Sequence, residues 1–167
     1  MTSTPLQILP RHSVIEDIIA LVSMSKAKRL DYEKAQPKFW SYAGPKAEIE
    51  QAKWFAELIK RDDHIALTAT DNSKKIIGFI IGRLIPASEV YNPGGMTLMI
   101  DDFCVESEDL WETVGKKLIE VIKADLKAVE ATQILIVCGS HDKAKKQLLK
   151  NMELSVASEW YVGLSKS

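Results

Sequence analysis

The chain has 167 residues, of which 46% are hydrophobic and 27% are charged, and its 22 basic and 23 acidic residues leave a net charge of −1. This length allows one domain with a full core but is short for two, and the near-neutral charge excludes a global field that would favour nucleic acid or an anionic membrane as partner. The two cysteines, Cys104 and Cys138, suit a reducing compartment and argue against a disulfide framework.

In the first half of the chain, hydrophobic periodicity predicts two helices and three strands. The predicted elements are a short strand at residues 6–9, helices at residues 13–33 and 46–60, and strands at residues 64–70 and 75–85. Ser13 and Glu16 have the spacing of a capping box, which places the start of the first helix at Ser13. The turn sequence Asp71-Asn72-Ser73 separates the last two strands, so we expect them to form a hairpin.

The central stretch has the pattern of a strand–helix–strand unit. Residues 97–105 (TLMIDDFCV) are strand-like, and residues 133–138 (QILIVC) form an unbroken apolar run typical of a strand covered on both faces. Between them we predict a helix at residues 110–129, whose apolar positions recur every fourth residue at Leu110, Val114, Leu118, Ile122 and Leu126. Such a unit sets a helix N-terminus beside the end of a parallel strand, where ligand phosphates commonly bind.

The C-terminal part is predicted to contain one helix and a last strand. Residues 143–151 form a short basic helix, and its lysines are expected on a solvated face: Lys143, Lys145, Lys146 and Lys150. Residues 154–164 carry Trp160 and Tyr161 and are expected at an edge of the sheet, where Trp160 would suit a homodimer contact. Together the elements indicate one α/β domain over residues 1–167, with a mixed central sheet flanked by helices.

The sequence carries no membrane, export or metal signal. No apolar run reaches the roughly 18 residues of a spanning helix, and the N-terminal MTSTPLQILPRH lacks the charged and apolar regions of a secretory signal. His12, His64 and His141 do not have the spacing of a metal site. We therefore expect a soluble cytoplasmic protein without a metal cofactor.

Two adjacent carboxylates, Asp101 and Asp102, interrupt the apolar strand at residues 97–105. Burying an unpaired carboxylate is costly, so at least one of them is expected to face a cleft or a cation. In a regular strand they would point to opposite faces, whereas a β-bulge would bring both to one side. The residues themselves leave two interpretations open, a functional site in a cleft and a salt bridge at the strand end.

The order of elements, β-α-α-β-β-β-α-β-α-β, resembles that of the GCN5-related N-acetyltransferase (GNAT) fold. KKIIGFIIGRLI is similar to the family's third strand (xIVGFxxGxL), and TLMIDDFCVESEDLWETVGKKLI to its fourth strand and pyrophosphate loop (Q/R-x-x-G-x-G/A). ILIVCGSHDKAKKQLLKNMEL is similar to its fifth strand and following helix (N-x-x-A-x-x-x-Y-x-x-x-G-F). In the loop pattern only Gly115 agrees. In the last motif His141 replaces the Asn, Ala144 agrees, and Leu148 stands where the family has its general-acid Tyr.

The resemblance implies acetyl-CoA as co-substrate, with its pantetheine arm lying where the fourth and fifth strands splay apart. The residues that it assigns to the coenzyme are the amides of Thr113, Val114, Gly115 and Lys116 for the pyrophosphate, the backbone of Phe103, Cys104 and Val105 for the arm, Trp111 above or beneath the loop, and His141. The alternative is a plain helix start, whose acidic residues complement the helix dipole.

For the acceptor, IDDF resembles the L-E-D-F run of thialysine and diamine acetyltransferases, whose acids serve amine binding and proton removal. The resemblance therefore implies an N-acetyltransferase that acts on the primary amine of a small molecule, with Asp102, preferred over Asp101, accepting the amine proton. Tyr161 is the candidate for a replacement general acid, and Tyr42 and Tyr91 are candidates for the acceptor pocket. The alternative is a catalytically inactive CoA-binding or interaction domain of the same fold.

Overall fold

A computed structural model describes residues 6–125 and 127–166 of the chain. The strands are β1 Leu9–His12, β2 His64–Thr70, β3 Ile76–Ile85, β4 Met96–Val105 and β5 Ala131–Ile136. The helices are α1 Ile18–Ala35, α2 Pro45–Leu58, α3 Lys116–Ala124 and α4 Lys143–Asn151. Predicted position Leu126 lies outside the described residues.

Within the described residues the five strands form one sheet in the order β1-β2-β3-β4-β5. Strands β1 to β4 pair with one another in antiparallel order, and β5 pairs with β4 in parallel. The predicted hairpin of β2 and β3 is confirmed, because the Asp71 carboxylate accepts the N–H groups of Ser73 and Lys75 and closes the turn. The expected mixed sheet flanked by helices is also confirmed.

Alternation along β2 and β3 divides the core between the two faces of the sheet. Ile65 and Leu67 pack on one face with α3 and α4, whereas Phe79 and Ile81 pack on the other face with α1 and α2. Burying each such side chain contributes about 1.5–3 kcal/mol. The two helical layers therefore fix β4 from both sides, and β4 carries the paired aspartates.

The N-terminal strand begins three residues later than the sequence indicated. Pro10 does not end a strand but lies inside β1 and pairs with Ala69. Proline is tolerated there because β1 is an edge strand, whose outward N–H groups need no partner.

The first helix also begins later than predicted, at a different cap. The Ser13 hydroxyl bonds the Thr68 hydroxyl at 2.6 Å and does not cap the helix. Asp17 instead makes the return bond of a capping box at the short 3₁₀ turn before α1, because its carboxylate accepts the Val14 N–H at 2.9 Å. Asp17 also holds Arg11 through two bonds of 2.7 and 2.8 Å, so it ties the start of the helix to β1.

The predicted last strand is wrong. Residues 152–166 contain no strand, and within the described chain no backbone hydrogen bond joins residues 155–166 to the sheet. The side chains of Val156, Trp160 and Tyr161 are exposed, and the Trp160 ring lies 6.3 Å from the Phe39 ring. Apolar and aromatic residues favour strands only where a neighbouring strand offers pairing, and no strand of the described sheet pairs with this segment. The edge strand expected to carry a dimer contact is therefore not formed.

Candidate active site

A β-bulge in β4 places both aspartates beside one cavity. Ile81 pairs with Asp102 and the next residue, Gly82, pairs with Ile100, so Asp101 is the additional residue of the bulge. The two carboxylates consequently line the same cavity, of about 470 Å³. The bulge that adjacent carboxylates suggested in the sequence is therefore present.

The cavity lies between α1, the segment that precedes α2, and the C-terminal segment. Aromatic rings dominate its wall: Tyr32, Phe39, Trp40, Tyr42 and Trp160. Tyr42 lines this cavity, and its hydroxyl donates to Glu48 at 3.0 Å. Tyr91 is 77% exposed on the loop before β4 and does not line the cavity.

The two aspartates differ in their contact with a nearby cation, Lys28. Lys28 Nζ lies 3.8 Å from a carboxylate oxygen of Asp102 and 3.5 Å from the backbone carbonyl oxygen of Asp101. Within the described residues the Asp101 carboxylate has no ion-pair partner within 4.0 Å. The salt bridge that the sequence left open therefore exists in a loose form for Asp102, and Asp101 keeps its charge available.

Strands β4 and β5 separate immediately beside the bulge. Their pairing ends at Ile100 and Ile136, and the last bond runs from the Val137 N–H to the Ile100 carbonyl oxygen at 2.8 Å. Residues 102–105 continue to pair with β3 but no longer with β5. We call the space beside this unpaired part of β4 the wedge. The unpaired residues are Phe103, Cys104 and Val105, which are those expected along a pantetheine arm.

The helix start that follows β4 differs from the expected phosphate loop. Trp111–Gly115 is a π-helical turn, and the Lys116 N–H donates to the carbonyl oxygens of Trp111 and Thr113. The geometry therefore does not support the expectation that the Lys116 amide binds a diphosphate. Thr113 and the ammonium-bearing side chain of Lys116 are exposed on this turn, whereas Val114 is buried.

Gly115 provides space for packing inside the protein. A Cβ atom at Gly115 would lie 2.7 Å from the Trp111 ring and 3.0 Å from Leu148. Trp111 is buried and meets the Phe103 ring edge-on at 4.9 Å, so it packs beneath the turn. Of the two positions that the sequence allowed for Trp111, the structure has the inner one.

Two of the acidic residues near this turn have partners on other elements. The Glu106 carboxylate pairs with Lys75, and the Glu112 carboxylate accepts the Asn151 amide at 2.8 Å. Both acids are thus directed to neighbouring elements, and Lys75 compensates the charge of Glu106.

The backbone at the end of α4 suggests another register for the C-terminal motif. Glu153 has φ of 63°, a conformation that favours glycine, so the Gly of the motif can be set on this residue. The Tyr position then falls on Leu149, the Ala position on Lys145, and the Asn position on Asp142. Asp142 caps α4 by accepting the Lys145 N–H at 3.1 Å.

Lys145 was predicted on a solvated face, and the structure shows the opposite. Its residue is 1% exposed, and its Nζ donates to the Val137 carbonyl oxygen at 2.8 Å. The Nζ also lies 5.1 Å from the centre of the Phe103 ring and 5.5 Å from that of Trp111. Its spacing of three residues from buried Leu148 was the signal that the sequence offered.

Tyr32 is a second functional candidate that sequence reasoning missed. It is buried on α1, and its hydroxyl oxygen accepts the Gly139 N–H at 3.0 Å, just beyond the end of β5. The His141 ring meets it edge-on at 4.7 Å, and His141 Nε2 lies 3.2 Å from the Asp31 carboxylate. Burial raises the pKa of Tyr32, which keeps its hydroxyl protonated.

Tyr161 does not join this group. It is 90% exposed, its hydroxyl donates to Glu159 at 3.0 Å, and it does not line the cavity. Its neighbour Trp160 does, so the C-terminal segment contributes an aromatic wall but not the expected acid.

The described residues contain neither a membrane-spanning helix nor a metal-binding group of side chains. None of their helices is long and apolar enough to span a membrane. Nor do residues 6–125 and 127–166 bring together three His, Cys, Asp or Glu side chains in a group that could hold a metal ion.

No family model and no curated protein sequence matches the chain. Solved structures do match over nearly its full length. The tetramutant of the BH1408 protein from Bacillus halodurans has a TM-score of 0.79 at 15% identity, covering 93% of this chain and 99% of that one. A predicted acetyltransferase from Clostridium acetobutylicum, solved with acetyl-CoA, has a TM-score of 0.71 at 17% identity, covering 95% and 96%. Glucosamine-6-phosphate N-acetyltransferase from Arabidopsis thaliana has a TM-score of 0.64 at 16% identity, covering 96% and 99%.

Proposed function

From the fold of the GNAT N-acetyltransferases, which this chain has, we propose that the protein transfers the acetyl group of acetyl-CoA to the primary amine of a small molecule. The observation that carries the proposal is the bulge at Asp101, next to the point where β5 leaves β4. It sets two carboxylates and a strand end without a β5 partner beside one cavity. The carboxylates can bind and deprotonate an amine acceptor, and the unpaired end of β4 can bind an extended acyl donor.

The donor side fits the wedge between β4 and β5. The backbone of Phe103, Cys104 and Val105 has no β5 partner and can pair with the amide groups of an extended arm as an added strand would. The exposed ammonium groups of Lys116 and Lys117 would attract a diphosphate at the helix start. When bound, acetyl-CoA supplies the electrophilic thioester carbonyl.

On the acceptor side we assign proton removal to the bulge aspartates. An approaching ammonium group is attracted by both carboxylates and loses its proton to one of them before it attacks. Asp102 shares its charge with Lys28, whereas Asp101 has no such partner in the described chain. Asp101 therefore replaces Asp102 as the preferred base, and Asp102 helps to hold the ammonium group.

The cavity favours a small acceptor with one amine and an apolar body. Its wall is mainly aromatic, and the cations Lys28 and Arg29 balance Asp101 and Asp102. A polycationic acceptor would gain little from a site without net negative charge, whereas a single ammonium group can use the two carboxylates and the faces of nearby aromatic rings.

A second candidate is a CoA-binding domain without catalysis. The intrahelical Lys116 amide and the leucines at the motif's Tyr position favour it, because they remove one phosphate donor and the usual acid.

The test combines ligand binding with turnover. Acetyl-CoA or CoA at about 100 times Kd should stabilise the protein by roughly 2.7 kcal/mol, and an amine panel should release CoA, read with a thiol reagent. Asp101→Asn should lower kcat/KM by about 10²–10⁴-fold, whereas Asp62→Asn, an exposed acid outside the cavity, should not. Stabilisation without CoA release would select the second candidate, and no stabilisation by either compound would contradict both.

A further inference from the structure

Lys145 is a buried ammonium group with an incomplete set of acceptors. An ammonium group has three N–H donors, and among the described residues the Val137 carbonyl oxygen is its only hydrogen-bond acceptor. The remaining neighbours are the Phe103 and Trp111 rings, which offer weaker cation–π contacts. A buried charge without full compensation is costly, so this ammonium group, on the core side of α4, is one that readily gives up a proton.

The position of this group coincides with the opening of the wedge. Val137 donates the last hydrogen bond between β5 and β4, and its own carbonyl oxygen holds Lys145 Nζ. Phe103, beneath the ammonium group, lies on β4 just past the bulge. Lys145 therefore reaches from α4 to the point where the two strands separate.

We propose that Lys145 is the proton donor to the coenzyme sulfur, in the role that the absent motif tyrosine would have. This inference rests on the proposed function, which sets the acyl donor in the same wedge. Lys145 replaces the small residue of the motif and lies one helical turn before Leu149, at the motif's Tyr position, so a long side chain from the earlier turn reaches the wedge.

The proton and electron balance is complete with groups already named. The bond from the amine nitrogen to the acetyl carbon forms, the bond from that carbon to sulfur breaks, and the sulfur takes the electron pair. Lys145 Nζ gives one proton to this sulfur and is left neutral. Two protons leave the acceptor nitrogen: Asp101 takes one before the attack and passes it to solvent, and then takes the second, which the nitrogen still carries once its bond to carbon has formed, and passes it on as well. Lys145 takes one proton back from solvent, so each turnover releases one proton.

The surroundings of Lys145 suit an acid for a thiolate. The titratable groups that face it are Lys28 from α1, Cys104 from β4, Cys138 after β5 and Asp142 at the start of α4. Burial, and then the charge of Lys28, lower the pKa of Lys145 from 10.5 to about 8. Burial raises the pKa of both cysteines, so they remain protonated thiols. An acid whose pKa lies near that of the leaving thiol, about 8.5, transfers its proton efficiently.

The test titrates the thiol of bound CoA and needs no acceptor amine. Thiolate absorbance is followed from about pH 6 to 10 for the CoA complex, with the desulfo-CoA complex as blank. A cation beside the sulfur lowers a thiol pKa by at least about one unit, so the thiolate-to-thiol ratio should be about tenfold higher in the wild type than in Lys145→Met. Lys146→Met is the control, because Lys146 is exposed and contacts Ser140. Lys145→Gln is used if the Met variant does not unfold cooperatively.

The outcomes separate this inference from the function on which it rests. CoA binding by all variants, with the thiolate shift absent only from the Lys145 variant and a matching loss of kcat at unchanged KM for acetyl-CoA, supports the assignment. The same thiol titration in wild type and variant overturns it while leaving acetyl transfer intact. Loss of CoA binding in the variant also overturns it, because Lys145 would then bind the coenzyme without acting as acid. Absence of CoA binding in the wild type contradicts the proposed function as well.

Discussion

Replacing Lys145 by methionine should stabilise the folded protein near neutral pH. The pKa of the buried amine is lowered from 10.5 to about 8, and each unit corresponds to about 1.36 kcal/mol. Burying the charged form therefore costs about 3 kcal/mol at about pH 7. Methionine has similar length and can contact the Phe103 and Trp111 rings, but it loses the bond to Val137, worth about 1 kcal/mol. The expected net gain is about 2 kcal/mol.

The pH dependence of the free energy of unfolding tests the same cost of burying the Lys145 charge independently. Between about pH 8 and 10.5 the unfolded chain binds a proton at Lys145 that the folded protein has released, so wild-type stability rises with pH. The advantage of Lys145→Met should thus shrink by about 2 kcal/mol between about pH 7 and 9.5. Urea unfolding followed by tryptophan fluorescence measures both values, and comparing the two proteins cancels the other titrating groups.

Lys146→Met is the control for removal of a charge from α4, and its stability relative to the wild type should not change with pH over this range. A Lys145→Met protein that is less stable than the wild type at neutral pH, by an amount that does not vary with pH, would refute the burial of an uncompensated ammonium group.

Three further predictions concern the core and the cavity. Asp17→Asn should lower the free energy of unfolding by about 1.5–3 kcal/mol, because the half-exposed Arg11 loses a charged, bidentate hydrogen-bond partner; urea unfolding checks this. Gly115→Ala should cost about 1–3 kcal/mol, since its Cβ would lie 2.7 Å from the Trp111 ring, and thermal unfolding measures the loss. Trp160→Ala should raise KM for an apolar amine several-fold with little change in stability, because the 82% exposed ring lines only the cavity wall.

Two of these changes, at Gly115 and Trp160, have a matched control in the chain. Gly163→Ala adds the same methyl group where nothing lies within 4 Å, so it should not alter the unfolding temperature. Val156→Ala shortens an exposed apolar side chain of the same C-terminal segment that does not line the cavity. A loss of less than about 1 kcal/mol for Asp17→Asn would show that Arg11 contributes only as an exposed ion pair does. Equal effects of the Gly115 and Gly163 changes, or of the Trp160 and Val156 changes, would contradict the corresponding contacts.

Local patterns were sufficient for the elements whose identity depends on near neighbours in the chain. The hairpin of β2 and β3 follows from alternation on either side of an Asp-Asn-Ser turn, and β4 follows from a run of mainly apolar and β-branched residues without Pro or Gly. The bulge was one of two arrangements that the sequence allowed, because two adjacent carboxylates inside such a run are costly to bury unpaired.

The features that failed to be predicted depend on a partner distant in sequence. Pro10 lies inside β1 because that strand is at the edge of the sheet, and residues 154–164 are not a strand because no neighbour pairs with them. Tyr32 reaches the end of β5 through its hydrogen bond with Gly139, which lies 107 residues away in the sequence.

By itself the sequence determined the order of helices and strands from β1 to α4, the α/β class and the strand that carries the two aspartates, because these follow from periodicity within a few turns or residues. Only the tertiary structure decided that Lys145 is buried at the opening of the wedge, that Gly115 receives the Trp111 ring, and that Asp101 lacks the cation that Asp102 has. The physical reason is that burial and charge pairing are properties of the space around a side chain, and that space is built by residues far apart in the chain.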